Sequence, residues 1–274
     1  MDVIGFYDQH PINEDQIVGE LRRRGEVADR PPPTALFDLD QDHYGGIAAV
    51  EALARIGGIA RGSKVLDVCA GLGGPLRFLA WRFGCLATGV DLNHGRARSA
   101  ARLTWLVGLE RAVRMVRADA TALPFRSASF DVCISQEAWL HIADKMATAR
   151  ECRRVLRPGG RLAFTDWIAR PRLADGEREK LQLWMAATTI QTLEGYRILL
   201  GRSGFTEVEA HDVSLDWRRI LHERLQMYRR LRRDTVARFG EARYDAYDQL
   251  YTFFVDLIED GKLGGGRFGA TAGG

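Results

Sequence analysis

The sequence predicts an α/β fold, with one parallel sheet covered by helices on both faces. Three observations predict it. Short β-branched stretches alternate with helix-period stretches from residue 47 onward. A glycine-rich turn, "AGLGG", stands between the first strand and the next helix. Polar or glycine residues gather at four strand ends, 67–73, 91, 119–120 and 135–137.

The elements follow in order. Residues 13–26, "NEDQIVGELRRRGE", make a short helix with Ile17 and Leu21 on one face, and the prolines of "ADRPPP" stop it. "IAAVEALARIG" is a helix, followed by strand 64–69, "KVLDVC", and helix 75–84. Strand 86–92 leads to helix 95–108 and strand 113–119. Strand 130–135 leads to helix 144–156, a turn at "RPGG" and strand 161–167. "GFTEVEAHDV" is a later strand. Beyond residue 214, Trp217, Leu221, Leu225, Tyr228 and Leu231 recur at helical spacing. "RFGA" near the end adds an edge strand. Three regions result: an arm or lid over 1–43, a core over 44–214, and C-terminal helices with an edge strand over 215–274 that complete the same domain.

Composition narrows the function. The 274 residues are 46% hydrophobic, enough for one large domain, and the net charge of +3 is too mild to indicate nucleic acid. Seven arginines lie between Arg218 and Arg233, but a solvated face of an amphipathic helix explains them. No apolar run has the length of a membrane span, and the acidic N-terminus lacks a signal-peptide core. Cys69, Cys85, Cys133 and Cys152 have no CxxC spacing, which points to reduced thiols, no metal and a cytoplasmic location.

Gly71, Gly73 and Gly74 sit where a strand hands over to a helix, allowing positive φ and close approach of backbone to a ligand. Leu76 stands where a third glycine would complete a dinucleotide fingerprint, so NAD(P) is not indicated. Asp67 precedes the loop and can hold it or a ligand amine. Asp91 ends the next strand, twenty residues after Gly71, where a carboxylate can accept from both ribose hydroxyls. Asp119 and Ala120 end the third strand, where an adenine edge can lie.

The ordered set "VLDVCAGLGG … TGVDL … ADATALPF … SFDVCISQEAWLHI … RVLRPGGRLAFTDW" over residues 44–168 resembles class I S-adenosylmethionine-dependent methyltransferases. The resemblance implies a Rossmann-like, doubly wound sheet of seven strands, mostly parallel with one antiparallel edge strand. It implies S-adenosylmethionine as cofactor. Asp67, Gly71 and Gly73 would meet its methionine part, Asp91 its ribose, Asp119 and Ala120 its adenine, and Gln136 its sulfonium region, with Leu92 a further cofactor contact.

A narrower likeness, through "DQDHYGG", "SQEAWLH", "TDW" and "DVSLDWRRIL … GGGRFGA", is to the phosphoethanolamine and sarcosine/dimethylglycine N-methyltransferases. It makes Glu137, His141 and Tyr44 the candidate catalytic residues. Glu137 and His141, four apart at a helix start, would share a face. Glu137 would anchor the acceptor amine, His141 would relay its proton, and Tyr44 would latch onto His141. Trp139, Trp167 and Tyr196 would line the acceptor pocket beside Tyr44, Glu137 and His141. "YTFFVDLIEDGKLGGG" lacks the basic cluster a phosphate wants, so the expected acceptor is an unphosphorylated small amine. The alternatives are an O- or C-methyltransferase of a hydrophobic secondary metabolite, or a non-catalytic S-adenosylmethionine-binding protein. The expected partners are a small-molecule acceptor and, at most, a second copy of the chain, with neither nucleic acid nor membrane.

Overall fold

The computed structural model describes residues 2–8, 10–25 and 30–274. Its elements in chain order are α1 (Val3–Asp8), α2 (Glu14–Arg23), α3 (Gly46–Gly57), β1 (Lys64–Val68), α4 (Gly74–Phe83), β2 (Leu86–Asp91), α5 (His94–Leu106), β3 (Val113–Arg117) and β4 (Phe130–Gln136). There follow α6 (Lys145–Val155), β5 (Leu156–Ala169), α7 (Asp175–Met185), α8 (Leu193–Arg202), β6 (Phe205–Asp212), α9 (Ser214–Arg230), α10 (Arg232–Phe239), α11 (Glu241–Glu259) and β7 (Leu263–Ala272). Short 3-10 turns occupy Pro33–Leu36 and Trp139–His141.

The seven strands form one sheet in the order β3-β2-β1-β4-β5-β7-β6. β1 to β5 are parallel, and β7 runs antiparallel to both its neighbours. The "RFGA" strand therefore forms an edge pair with β6, but it is inserted between β5 and β6, which leaves β6 as the outer strand. Arg161–Ala169 pairs with Leu263–Thr271 without a break, a ladder that no local signal in the glycine-rich tail announces. "RPGG" keeps its turn as an excursion within β5: pairing jumps from Phe130↔Leu156 to Val132↔Arg161.

Helix boundaries have local causes. The Asn13, Asn93 and Asp144 side chains accept the backbone N–H groups of Gln16, Arg96 and Ala147, capping α2, α5 and α6. Ile17 and Leu21 are buried, and they bring α2 against Leu103 of α5 and Val107 just past its end. Trp217, Leu221 and Leu225 of α9 are buried, whereas Leu231 lies beyond the helix end and is 47% exposed. Arg218, Arg219 and Arg229 pair with Glu259, Glu223 and Asp248, but Arg224 points inward. Of the expected arm, Ala28 and Asp29 of "ADRPPP" and Glu26 lie outside the described residues.

β1 lies between β2 and β4, so the strand order reverses there. In open α/β sheets the crevice at that reversal, beyond the carboxyl ends of the strands, is where ligands sit.

Candidate active site

A cavity of about 420 Å³ occupies that crevice. Its wall includes Asp67, Gly71, Asp91, Leu92, Asp119, Ala120, Gln136 and His141. The four strand ends read from the sequence thus converge on one space.

The glycine loop supplies the floor. Gly71 and Gly73 have φ of +54° and +73°, the left-handed region that favours glycine. A Cβ on Gly74 would stand 2.2 Å from the Asp40 carbonyl oxygen, so the loop and the arm approach too closely for any side chain. Gly73 itself does not line the cavity. Its place is structural: it begins α4 and leaves room for Arg77, whose Nη1 would lie 3.2 Å from a Cβ there. Arg77 is fully buried. It donates to Asp40 Oδ2 from Nε at 3.0 Å and from Nη2 at 2.8 Å, and to the Leu72 carbonyl at 2.7 Å. It thereby braces the glycine turn from behind.

Asp91 accepts the Gly71 N–H at Oδ2 (2.8 Å) and the Asn93 N–H at Oδ1 (2.9 Å). Burial raises its pKa, and those two bonds oppose the rise. Asp67 is 3% exposed, and burial plus the nearby Asp91 hold its carboxyl well above the usual carboxylate range. No hydrogen bond opposes that shift among the described residues. A cationic ligand group would relieve it. Asp119 is exposed and spends Oδ1 on the Thr121 N–H and hydroxyl, at 2.8 and 2.7 Å. Leu92 and Ala120 offer apolar surface near it. Gln136 donates Nε2 to His43 Nδ1 at 3.0 Å, and its buried Oε1 has no partner. An unpaired acid, a second carboxylate and an apolar slot form a set that fits S-adenosylmethionine: Asp67 would meet the ammonium, Asp91 the ribose, and Leu92 and Ala120 the adenine.

The candidate catalytic residues are arranged differently from expectation. Glu137 and His141 do not share a helix face. Glu137 has φ +46° at the end of β4, and His141 ends a 3-10 turn. Glu137 does not line the cavity. Its Oε1 accepts from the Thr165 hydroxyl at 2.6 Å and its Oε2 from the Tyr44 N–H at 2.7 Å. Burial raises its pKa to about 8, against the pull of those bonds. His141 Nδ1 lies 3.1 Å from the Ala186 carbonyl, which can only accept, so Nδ1 carries the proton. Nε2 is then an acceptor, and the Tyr7 hydroxyl donates to it at 3.1 Å. Burial lowers the His141 pKa to about 4, so the ring is neutral.

Tyr44 is thus not the residue that meets His141. Its ring packs against Trp167 and Trp217 at 5.5 and 4.9 Å, under the Arg224 guanidinium at 4.8 Å. Its backbone, not its phenol, reaches Glu137. Trp139 and Tyr196 are also displaced from the expected role. Both are fully buried: Trp139 stacks on Phe164 at 4.5 Å, and the Tyr196 hydroxyl bonds Asp166. Trp167 is 2% exposed and packs with Tyr44, Trp217 and Phe254. None of the three lines the cavity.

Several wall residues escaped the sequence reading. Val3, Ile4 and Tyr7 of α1 cap the cavity. Asn93 Nδ2 donates to Asp8 Oδ1 at 2.8 Å, and Arg96 donates to the Ile12 carbonyl at 3.2 Å and stacks over Tyr7 at 4.9 Å. Arg96 also pairs with Asp42. The only local hint was a tyrosine on a short amphipathic start, "VIGFYD".

Comparison with known proteins agrees with this geometry. A family described as a methyltransferase domain matches residues 66–164. The chain is 32% identical to the methyltransferase GfsG of Streptomyces halstedii, over 66% of this chain and 70% of that one. It is 30% identical to the sarcosine/dimethylglycine N-methyltransferase of Halorhodospira halochloris, over 65% of this chain and 62% of that one. Its fold superimposes with a TM-score of 0.80 on phosphoethanolamine N-methyltransferase 2 of Haemonchus contortus, solved with phosphomonomethylethanolamine and S-adenosylhomocysteine. That match has 22% identity and covers 100% of this chain and 61% of that one. The chain therefore spans less than two thirds of the length of the last two. Among the described residues no helix is long and apolar enough to cross a membrane, and no His/Cys/Asp/Glu group is arranged to hold a metal. With the cavity, its acid set and these relatives together, the chain belongs to the S-adenosylmethionine-dependent methyltransferases.

Proposed function

We propose that this methyltransferase acts on the nitrogen of a small, unphosphorylated amine of the sarcosine/dimethylglycine type, in a reducing, cytoplasmic setting. The observation that carries the reading is the His141 ring on the cavity wall, neutral and with its Nε2 lone pair turned to Tyr7. An ammonium ion has no lone pair with which to accept a methyl group, so an amine acceptor needs a base.

The bound cofactor supplies an already activated methyl group. The chain's own residues bind, orient and exclude water. The amine proton passes to the Tyr7 hydroxyl oxygen as that hydroxyl's own hydrogen moves to His141 Nε2, so Tyr7 is the latch that Tyr44 does not provide. Glu137, one residue past Gln136, is protonated near neutral pH and ties the Tyr44 backbone to Thr165 of β5 rather than meeting the acceptor. Val3, Ile4 and Tyr7 of α1 line the cofactor space, which supports a lid role for the N-terminal arm. Asp256, Glu259 and Asp260 do not line the cavity, and Glu259 pairs with Arg218, so the unphosphorylated acceptor rests on the sarcosine/dimethylglycine likeness and not on α11. The free cysteines support a reducing compartment.

One observation favours a second reading. Val3, Ile4, Leu72 and Ile142 give the cavity wall an apolar side, which suits a hydrophobic acceptor methylated on oxygen or carbon. Purified protein incubated with S-adenosylmethionine and a panel of amines, phenols and apolar hydroxy metabolites decides between them, read by S-adenosylhomocysteine release. Release with sarcosine or dimethylglycine supports the amine reading. Release with phenols alone supports the second. No release with any acceptor, despite cofactor binding, points to a non-catalytic binding protein.

A further inference from the structure

His141 is held by a segment rather than by one partner. Besides the Nδ1 contact with Ala186, the Thr188 hydroxyl donates to the His141 carbonyl at 3.0 Å and the Thr189 N–H donates to the Leu140 carbonyl at 3.2 Å. Ala186 itself sits at φ +54°, a conformation an alanine adopts only when its surroundings impose it. The carbonyl that orients His141 thus belongs to a residue that relaxes if the segment is released.

One side chain ties the two stretches together. Lys145 is 3% exposed. Its ammonium donates to the Ile142 carbonyl and the Thr189 carbonyl, each at 2.8 Å, and to the Thr189 hydroxyl. All three partners are uncharged oxygens. Asp166, the acid whose charge attracts it, is hydrogen-bonded to Tyr196 instead. Burial without a bonded counter-ion lowers the Lys145 pKa to about 8. An apolar side chain would avoid that penalty. An ammonium, however, has three donors, and here they reach two segments at once.

We propose that Lys145 is a positioning residue for His141: it fastens the 140–142 turn to the 186–189 segment, so that Nδ1 stays on Ala186 and Nε2 keeps its lone pair toward Tyr7 and the cavity. Lys145 itself does not line the cavity. The inference rests on the acceptor role given to His141 above, but its primary readout does not.

The test is ¹⁵N NMR of the His141 ring at neutral pH, assigned by its loss in His141→Ala, in wild type, Lys145→Met, Thr189→Val and the double variant. Wild type should show the Nδ1–H tautomer alone. Lys145→Met should show both tautomers. With sarcosine as acceptor its turnover should fall about tenfold or more, while S-adenosylhomocysteine affinity moves less than about threefold. Thr189→Val should shift the same way by less, and the double variant should be no worse than Lys145→Met, because both act on one junction. An unchanged tautomer in Lys145→Met, or additive losses in the double variant, overturns the proposal. Should Lys145→Met not fold, an unchanged tautomer in folded Thr189→Val overturns it equally. If the tautomer responds but His141→Ala turns over normally, the positioning stands and the acceptor role of His141 falls.

Discussion

The Tyr7 hydroxyl lies 3.1 Å from His141 Nε2, joining the first helix to the cavity wall across 134 residues of chain. With Nδ1 committed to Ala186, Tyr7 is the partner of the one ring lone pair that an acceptor proton could use. Tyr7→Phe removes the hydroxyl and keeps the ring on Arg96. Turnover should fall about tenfold, the size of one lost hydrogen bond in a buried site. Tyr44→Phe should cost several-fold less, because its contact with Glu137 is through the backbone. Steady-state kinetics of the two variants make the comparison.

That contrast shows what was legible in the sequence. Asp67, Gly71, Asp91 and Asp119 could be placed because each lies at or within three residues of a strand's carboxyl end, and a parallel sheet puts those ends side by side. Which tyrosine meets His141 depends on how a separate arm folds back, and local pattern carries no signal for that. Trp139 and Tyr196 failed for a related reason: burial against Phe164 and Phe268 is decided by the antiparallel insertion of β7, made by a glycine-rich stretch with little strand character. Gly73 looks like a ligand contact in the sequence because sequence cannot tell a glycine facing a ligand from one facing Arg77.

Stability should depend on pH through opposing groups. His141 has a pKa near 4 in the fold against an ordinary 6.5, so the unfolded chain binds the extra proton. Its contribution is complete above 6.5 and is lost as pH falls toward 4. Glu137 has a pKa near 8 against an ordinary 4.5, so the fold holds the extra proton. Its contribution is complete below 4.5 and is lost as pH rises toward 8. Asp166, raised to about 7 by burial, acts in the same direction. Between 6.5 and 8 the acids prevail, and the melting temperature of the ligand-free protein should fall. In Glu137→Gln that fall should shrink by about 3 °C, read by calorimetric scans at pH 6.5 and 8. An identical slope in the variant would remove Glu137 from the set of buried acids.

Asp91→Ala should weaken S-adenosylhomocysteine binding at least about tenfold, since the variant loses the carboxylate proposed to meet the ribose and the bond that sets Gly71. Isothermal calorimetry measures it. NAD and NADP should give no heat with the wild type. Unchanged affinity in a folded variant would take Asp91 out of the site.

Hydrogen exchange should report the lid. With S-adenosylhomocysteine bound, amides of α1 and of residues 40–44 should exchange more slowly, because Val3, Ile4, Tyr7, Asp40, Asp42 and His43 all line the cavity. Equal protection with and without the ligand would mean a static tether.

The most direct measurement uses S-adenosylmethionine carrying a ¹³C-labelled methyl group, with the acceptor found by the panel and the product read by ¹³C NMR. An N-methyl resonance is predicted, growing as labelled S-adenosylmethionine is consumed and diminished in His141→Ala. An O-methyl or C-methyl resonance, or an N-methyl signal on phosphoethanolamine alone, would contradict the account.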